Sequence, residues 1–562
     1  MIGLNKIGLN QVQLNRLRLN APFPAYGKMA GGGGSGDGFP QLPGDVTRWH
    51  FGGLTNEMMA AMDDPRIEDA DHKGRFLSFK NFAWKEGSGI SDVYPGFILG
   101  DGVDDFAVTE KELNFEDTYT VYTAFIPFQN NPTRNMILCG ADSKKTFSMQ
   151  YSSLVYVSFI AGNNYYINAD FVNGLNLFAC KRNGNNICIK NLLTNKVVTG
   201  TCGDWVENAG LYYLWKNATY ASFARAAIAG QTICNGYFST DEDDEKVLDW
   251  YKKQYPWLFP DQAWTVVGKT NEDEDRATIA NITGNGNDLV LSNFGFAEGS
   301  GYGLYKTPFE LYPSVQHSSK YSLSFSKFAL GDHNLIIAPK QNDLSYDIKV
   351  KVTGLKDGVK FKWGWIGATG YIDITTDGIH MLNKPASQIR QLLVEFAEDF
   401  DPDHVVTIEQ IPEYEGYLVT DGVDDKAVSK QFKFGENFTV ILDFKFPVKK
   451  ISYCGFDLSS KVRIQNIQGS GVYVVLKGNK TLIPSNVVRA VTSEGKVYDE
   501  NWNEYNIVPG NISSNYTMVN LGFDGSKQFA ESATKLAGIY SSTLSKDDCI
   551  KAYNYLQTLK AK

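Results

Sequence analysis

The sequence predicts a mainly β, multidomain protein of 562 residues. Three observations predict it. Tyr and Phe dominate the aromatic residues, at 30 and 34, and 53 glycines supply turns, a balance that favours strands over long helices. Short alternating apolar runs separated by Asp-Gly and Asn-Gly turns recur along most of the chain. Long stretches also match one another, so one folded unit has been duplicated. At roughly 100–200 residues per domain, three or four domains are expected.

Residues 1–30 are read as a short-repeat anchor. The Leu-Asn pair recurs every five residues from Leu4-Asn5 to Leu19-Asn20, and an aliphatic residue stands two places before each Leu. The apolar row is Ile2, Leu4, Ile7, Leu9, Val12, Leu14, Leu17 and Leu19. A period of five suits neither a helix nor a simple strand, and four repeats bury no core alone. The segment must therefore stack on other copies or on another protein. Residues 31–60 follow as a glycine-rich tether and linker, led by Gly31-Gly32-Gly33-Gly34-Ser35-Gly36.

The duplication sets the remaining organisation. RFLSFKNFAWKEGSG at 75–89 matches NDLVLSNFGFAEGSG at 287–301, an offset of 212. GFILGDGVDDFAV at 96–108 matches GYLVTDGVDDKAV at 416–428, an offset of 320. The copies span 61–260 and 412–562, with 261–302 as linker and start of the second unit. The growing offset places an insert at 303–411, read as a small β-sandwich or α/β module. Its strands include YDIKVKVTGL and VKFKWGWIG, and SQIRQLLVEFAEDF at 387–400 reads as a helix. Each copy closes on a capped helix. Thr240 with Asp243 opens one and Ser545 with Asp548 the other. The expected apolar faces are Val247, Leu248 and Tyr251, then Ile550, Tyr553 and Leu556.

An apolar strand entering DGVDD, alternating strands, then a closing strand and helix resemble a concanavalin A-like jelly roll of the laminin G type. The resemblance covers about 93–258 and 412–562. It implies two packed antiparallel sheets and a lectin-like capacity for glycan or protein contacts. The doubled signatures also resemble virion proteins of tailed phages of Bacteroides-type hosts, including crAss-like phages. That likeness implies a structural protein of the particle: a head fibre or other surface appendage, with host attachment as a further expectation. Rival expectations are a tail receptor-binding adhesin and a bacterial glycan-binding surface protein.

The remaining chemistry is read conservatively. Asp101, Asp104, Asp105 and their repeats Asp421, Asp424, Asp425 are weak calcium candidates; the preferred reading is turn formation. Trp205, Trp215, Trp363 and Trp365 are conceivable sugar platforms, though most Trp in sandwiches are core residues. The acidic runs Asp241–Glu245 and Glu272–Asp275 read as a helix N-terminus and a solvated linker. The six His are dispersed, no CxxC pair occurs, and no GxSxG, HExxH or P-loop is found. No paired-carboxylate strand of the glycosidase kind appears either. No enzyme activity, cofactor or metal is therefore expected.

Basic and acidic residues number 54 and 63, for a net charge of −9, with no basic tract that would mark a nucleic-acid partner. No run of 18 apolar residues suggests membrane insertion. Without a signal-like h-region at the N-terminus, the seven Cys read as reduced, buried thiols of a chain folded in a host cytoplasm and carried on a virion. The expected partners are further copies of the chain (a trimer by analogy with appendages), capsid or other virion proteins bound through residues 1–30, and host-surface glycans.

Overall fold

The computed structural model describes residues 38–561 apart from short interruptions, the longest of them 304–315 and 327–347. The anchor residues Ile2 to Leu19 and the glycine run lie outside the described residues. The chain divides into two units. One holds the residues up to Pro260 together with Leu544–Leu559; the other holds Asp261–Thr543 and Lys560–Lys562.

The first unit is a sandwich of two eight-stranded sheets. One sheet runs in the order Gly89–Ile90, Ile98–Leu99, Ala226–Asn235, Thr118–Pro127, Asn176–Asn183, Asn186–Asn191, Lys196–Thr201, and Asp45–His50 pairs further along Ala226–Asn235. The other runs Arg66–Glu68, Phe76–Lys80, Phe106–Thr109, Tyr213–Leu214, Asn135–Cys139, Phe147–Tyr151, Val155–Ala161, Asn163–Ala169. Inward residues of both sheets form one core: Trp49, Val121, Phe125, Phe178 and Ile228 from the first, Leu77, Phe79, Ala107 and Leu214 from the second. Because Asp45–His50 is a strand of this sheet, the sandwich begins within the stretch 31–60 that the sequence reading gave to tether and linker.

The second unit repeats this order strand for strand. Its first sheet runs Gly301–Tyr302, Leu418–Asp421, Glu531–Tyr540, Thr439–Lys445, Val487–Thr492, Lys496–Asp499, Glu504–Asn506, with Gln262–Thr265 alongside Glu531–Tyr540. Its second runs from Thr278–Ile279 through Leu289–Ser292, Lys426–Ser429, Val519–Leu521 and Tyr453–Leu458 to Asn479–Ile483. The duplication seen in short motifs thus extends to the whole topology. The acidic stretch Glu272–Asp275 lies within this unit, in the turn between Gln262–Thr265 and Thr278–Ile279, where Asp275 pairs with Lys269 at 2.6 Å.

The extra residues enter at a hairpin. In the first unit Gly89–Ile90 and Ile98–Leu99 pair directly and are joined by residues 91–97. In the second, Gly301–Tyr302 pairs with Leu418 and Val419, so the chain between them leaves and returns at one point of the sheet. There it forms a five-stranded sheet and a three-stranded sheet, both antiparallel. Val350, Val352, Leu323, Val406 and Ile408 are buried. The helix expected at 387–400 does not hold for its described residues, 391–396. Gln391–Phe396 is a strand that pairs six residues in register with Val359–Gly364. Ladder hydrogen bonds override the local helical period there.

The closing helices are Asp241–Gln254 and Lys546–Thr558. Thr240 forms a full capping box with Asp243, and the Ser545 hydroxyl accepts from the Asp548 N–H. The buried faces match those expected in part, at Val247, Tyr251 and Leu556. Asp244, Val247, Trp250 and Tyr251 are buried in the first helix, with Leu248 only half-buried. Cys549, Ala552, Tyr555 and Leu556 are buried in the second, with Ile550 and Tyr553 half-buried. Asp244 explains the first case. Its carboxylate receives Lys181 at 2.8 Å and Lys190 at 3.1 Å, and the hydroxyls of Tyr122 at 2.9 Å and Ser239 at 3.1 Å, so a charge docks the helix. The second helix belongs to the first unit, where the Tyr555 hydroxyl accepts the Leu175 N–H and its ring meets Tyr94 and Trp257 edge-on.

Six thiols among the described residues are unbonded, and all but the half-buried Cys188 are buried. No helix among the described residues is long and apolar enough to cross a membrane.

Candidate functional site

The repeated motifs meet at one end of each sandwich. DGVDD carries the chain from one sheet to the other: it follows Ile98–Leu99 in the first sheet and precedes Phe106–Thr109 in the second. So sharp a crossover needs backbone that only glycine adopts cheaply. Gly102 has φ +79° and Gly422 φ +74°. A Cβ at Gly102 would lie 3.0 Å from the Arg225 Cβ, and one at Gly422 would lie 2.8 Å from the Glu531 nitrogen.

The aspartates organise the turn. Asp101 Oδ1 accepts the N–H groups of Val103 at 2.7 Å and Asp104 at 3.3 Å. Asp105 Oδ2 accepts the Asp101 N–H at 3.0 Å. Asp421 and Asp425 repeat all three bonds at 2.8, 3.3 and 2.9 Å. The other repeated motif braces this turn from outside. The Asn81 side chain, on a residue with φ +68°, donates to the Asp104 carbonyl at 3.0 Å; Asn293, with φ +70°, donates to that of Asp424 at 3.1 Å. The EGSG serine completes it. Ser300 Oγ accepts the Gly295 N–H at 2.7 Å and donates to Asp425 Oδ1 at 2.9 Å. Ser88 Oγ likewise accepts the Ala83 N–H at 2.8 Å.

Burial pushes both Asp105 and Asp425 up to about 6. Neighbouring carboxylates push the same way, while the serine hydroxyls and turn N–H groups pull down. Oxygens of the three carboxylates in each turn lie within 4.8 Å of one another. Two of the three acids in each copy already accept N–H groups that define the turn. The cluster therefore has a structural task that accounts for its recurrence without calcium.

Beside each turn lies a cluster of rings and an ammonium that the sequence reading did not single out. In the first unit the Lys216 ammonium sits 4.2 Å from the Phe106 ring centre, 5.8 Å from Phe223 and 5.9 Å from Tyr213. All four side chains are half-buried. Lys216 and Phe223 face each other across an isolated bridge. In the second unit the corresponding bridge joins Phe523 and Phe529, whose rings stack at 5.8 Å and 18°. Lys426 takes the place of Phe106 after DGVDD, with its ammonium 5.7 Å from Phe523. Ring and cation have exchanged positions. The signal available in the sequence was the single difference between DDFAV and DDKAV.

The tryptophan candidates divide otherwise. Trp215 is wholly buried and its indole N–H donates to the Ala226 carbonyl at 2.8 Å, so it is a core residue. Trp205, Trp365 and the Trp363 side chain lie outside the described residues. A cleft of about 370 Å³ is lined by Asn186, Ile187, Cys188, Thr199, Gly200, Thr201 and Phe238. Burial raises the Cys188 thiol above its ordinary pKa, so it keeps its proton.

No family model and no curated protein matches the sequence. Solved structures give partial likenesses. The receptor-binding domain of botulinum neurotoxin type G is 12% identical, covers 69% of this chain and 86% of its own, and has a TM-score of 0.26. The binding domain of botulinum neurotoxin DC in complex with SialylT is 9% identical, covers 61% and 95%, and scores 0.27. Domain 4 of the arabinanase AbnA from Geobacillus stearothermophilus is 12% identical, covers 36% and 96%, and scores 0.23. At such scores the likeness assigns no ligand, and the sandwich architecture rests on the sheets described above.

Proposed function

We propose that this chain is a structural component of a tailed-phage particle, a capsid-anchored head fibre or surface appendage whose sandwiches bind and do not catalyse. One observation carries the reading: a complete sandwich is built twice, strand for strand, behind a periodic apolar segment and a glycine tether. A sticky segment, a tether and repeated rigid modules form a peg with a display head. Reduced thiols fit folding in the host cytoplasm before release on the virion. The periodic segment, which buries no core alone, calls for further copies of the chain or a capsid partner.

Co-sedimentation with purified particles that lack this protein tests the anchor. The full chain is expected to pellet with the particles and a chain lacking residues 1–30 to stay in the supernatant. Equal behaviour of the two chains would overturn the anchoring role.

A second reading, attachment to host-surface glycans, is favoured by the ring-and-ammonium platform beside the same turn in both units.

A further inference from the structure

We infer that this platform is a saccharide site selective for carboxylated, anionic glycans. The inference rests on the attachment reading. Its basis is the exchange between the copies. Phe106, Lys216 and Phe223 in one unit answer to Lys426, Phe523 and Phe529 in the other. At two of the three positions ring and cation have changed places while Phe223 and Phe529 keep the ring, so each unit holds ring faces and one ammonium at the same place. Packing alone asks for no charge there. A ligand with an apolar face and an acidic group asks for both.

The chemistry specifies that ligand. Ring faces pack against the C–H face of a pyranose, and an ammonium beside them meets a ring carboxylate. Among the described residues neither Lys216 nor Lys426 makes an ion pair, so each ammonium is available to an incoming anion. The platform lies against the DGVDD turn, whose tip presents Val103 and Val423, each 70% exposed. Phe106 and Lys426 follow the turn directly in sequence, which fixes this proximity in both units.

Binding of the full chain to polygalacturonate, to its methyl-esterified form and to single-stranded poly(dT) tests this by calorimetry. Polygalacturonate is expected to bind and the neutral ester to bind about tenfold more weakly or worse. Lys216→Gln and Phe106→Ala should each weaken binding at the first unit's site by roughly tenfold, Lys216→Arg should retain it, and Lys426→Gln should weaken the second unit's site likewise. Thermal unfolding of each variant shows that the fold is kept. Unchanged affinity in folded Lys216→Gln and Phe106→Ala chains overturns the site. Equal affinity for the ester overturns the anionic selectivity, and equal affinity for poly(dT) reduces the effect to general polyanion binding; both leave sugar attachment as a separate question. If the chain binds neutral polysaccharides with the platform variants unaffected, the attachment reading survives and this site falls. No saccharide binding at all removes both.

Discussion

At the scale of single residues, the duplicated aspartates, asparagines and serines hold a crossover together. Recurrence made DGVDD and EGSG visible in the sequence, and Asp-Gly chemistry gave the turn. That Ser300 and Asn293 reach across to Asp425 and Asp424 was not legible, because partners 125 and 131 residues apart leave no local pattern. The raised acids make a pH prediction. Below about pH 4 Asp425 is protonated in folded and unfolded chains alike. Above it the unfolded chain, with the ordinary value of 3.8, ionises first, while the folded one holds its proton to about 6. The stability this supplies is complete at low pH and is lost as pH rises through 6. Asp425→Asn keeps an acceptor for the Asp421 N–H and removes the titration. Its melting temperature relative to the parent should rise between pH 4.5 and pH 7.5 by on the order of 2 °C. A difference that stays constant in scanning calorimetry at the two pH values would show that the acid ionises freely.

The elements show where local reading succeeds and where it gives way. Both closing helices and their caps were legible, since Thr240 with Asp243 and Ser545 with Asp548 act within one turn. Their buried faces were legible only in part, at Val247, Tyr251 and Leu556. A hydrophobicity pattern does not assign Asp244 to the interior, yet Lys181 and Asp244 are buried as a pair, with side chains 4% and 2% exposed. Truncation of one partner strands the other. Asp244→Ala is expected to destabilise the first unit by about 3–5 kcal/mol, and Lys181→Met together with Asp244→Ala should regain part of that loss. Urea unfolding of the parent, the two single variants and the double variant measures it; losses of the single variants that simply add in the double variant would mean that the pair has no coupling. Gln391–Phe396 failed in the opposite sense. Its residues carry a helical period, and only its pairing with Val359–Gly364, some thirty residues upstream, makes it a strand.

At the scale of the whole molecule, the offset between the repeats located the insertion before any coordinate was known, because a duplicated unit is its own reference. The platform stayed hidden at that scale, since its rings and ammonium are gathered from positions about 110 residues apart in the first unit and about 100 in the second. The insertion point yields a prediction. Residues 303–417 replaced by the sequence of 91–97 should leave the second sandwich folded, as the first closes the same hairpin with that connection. The shortened chain should keep one cooperative transition for that unit in calorimetry. A chain that aggregates or loses the transition would make the inserted module part of the sandwich core.

The two-pair ladder at that hairpin also has a mechanical meaning. If the inserted module is pulled away from the sandwich, tension reaches the sheet through Gly301–Tyr302 and Leu418–Val419 together. Strands pulled from the same end peel apart one rung at a time instead of shearing all at once. The next resistance after those rungs is the side-chain clasp of Ser300 and Asn293 on the following turn. The hairpin is thus placed to yield first and to re-zip when the load drops, sparing the sheets behind it.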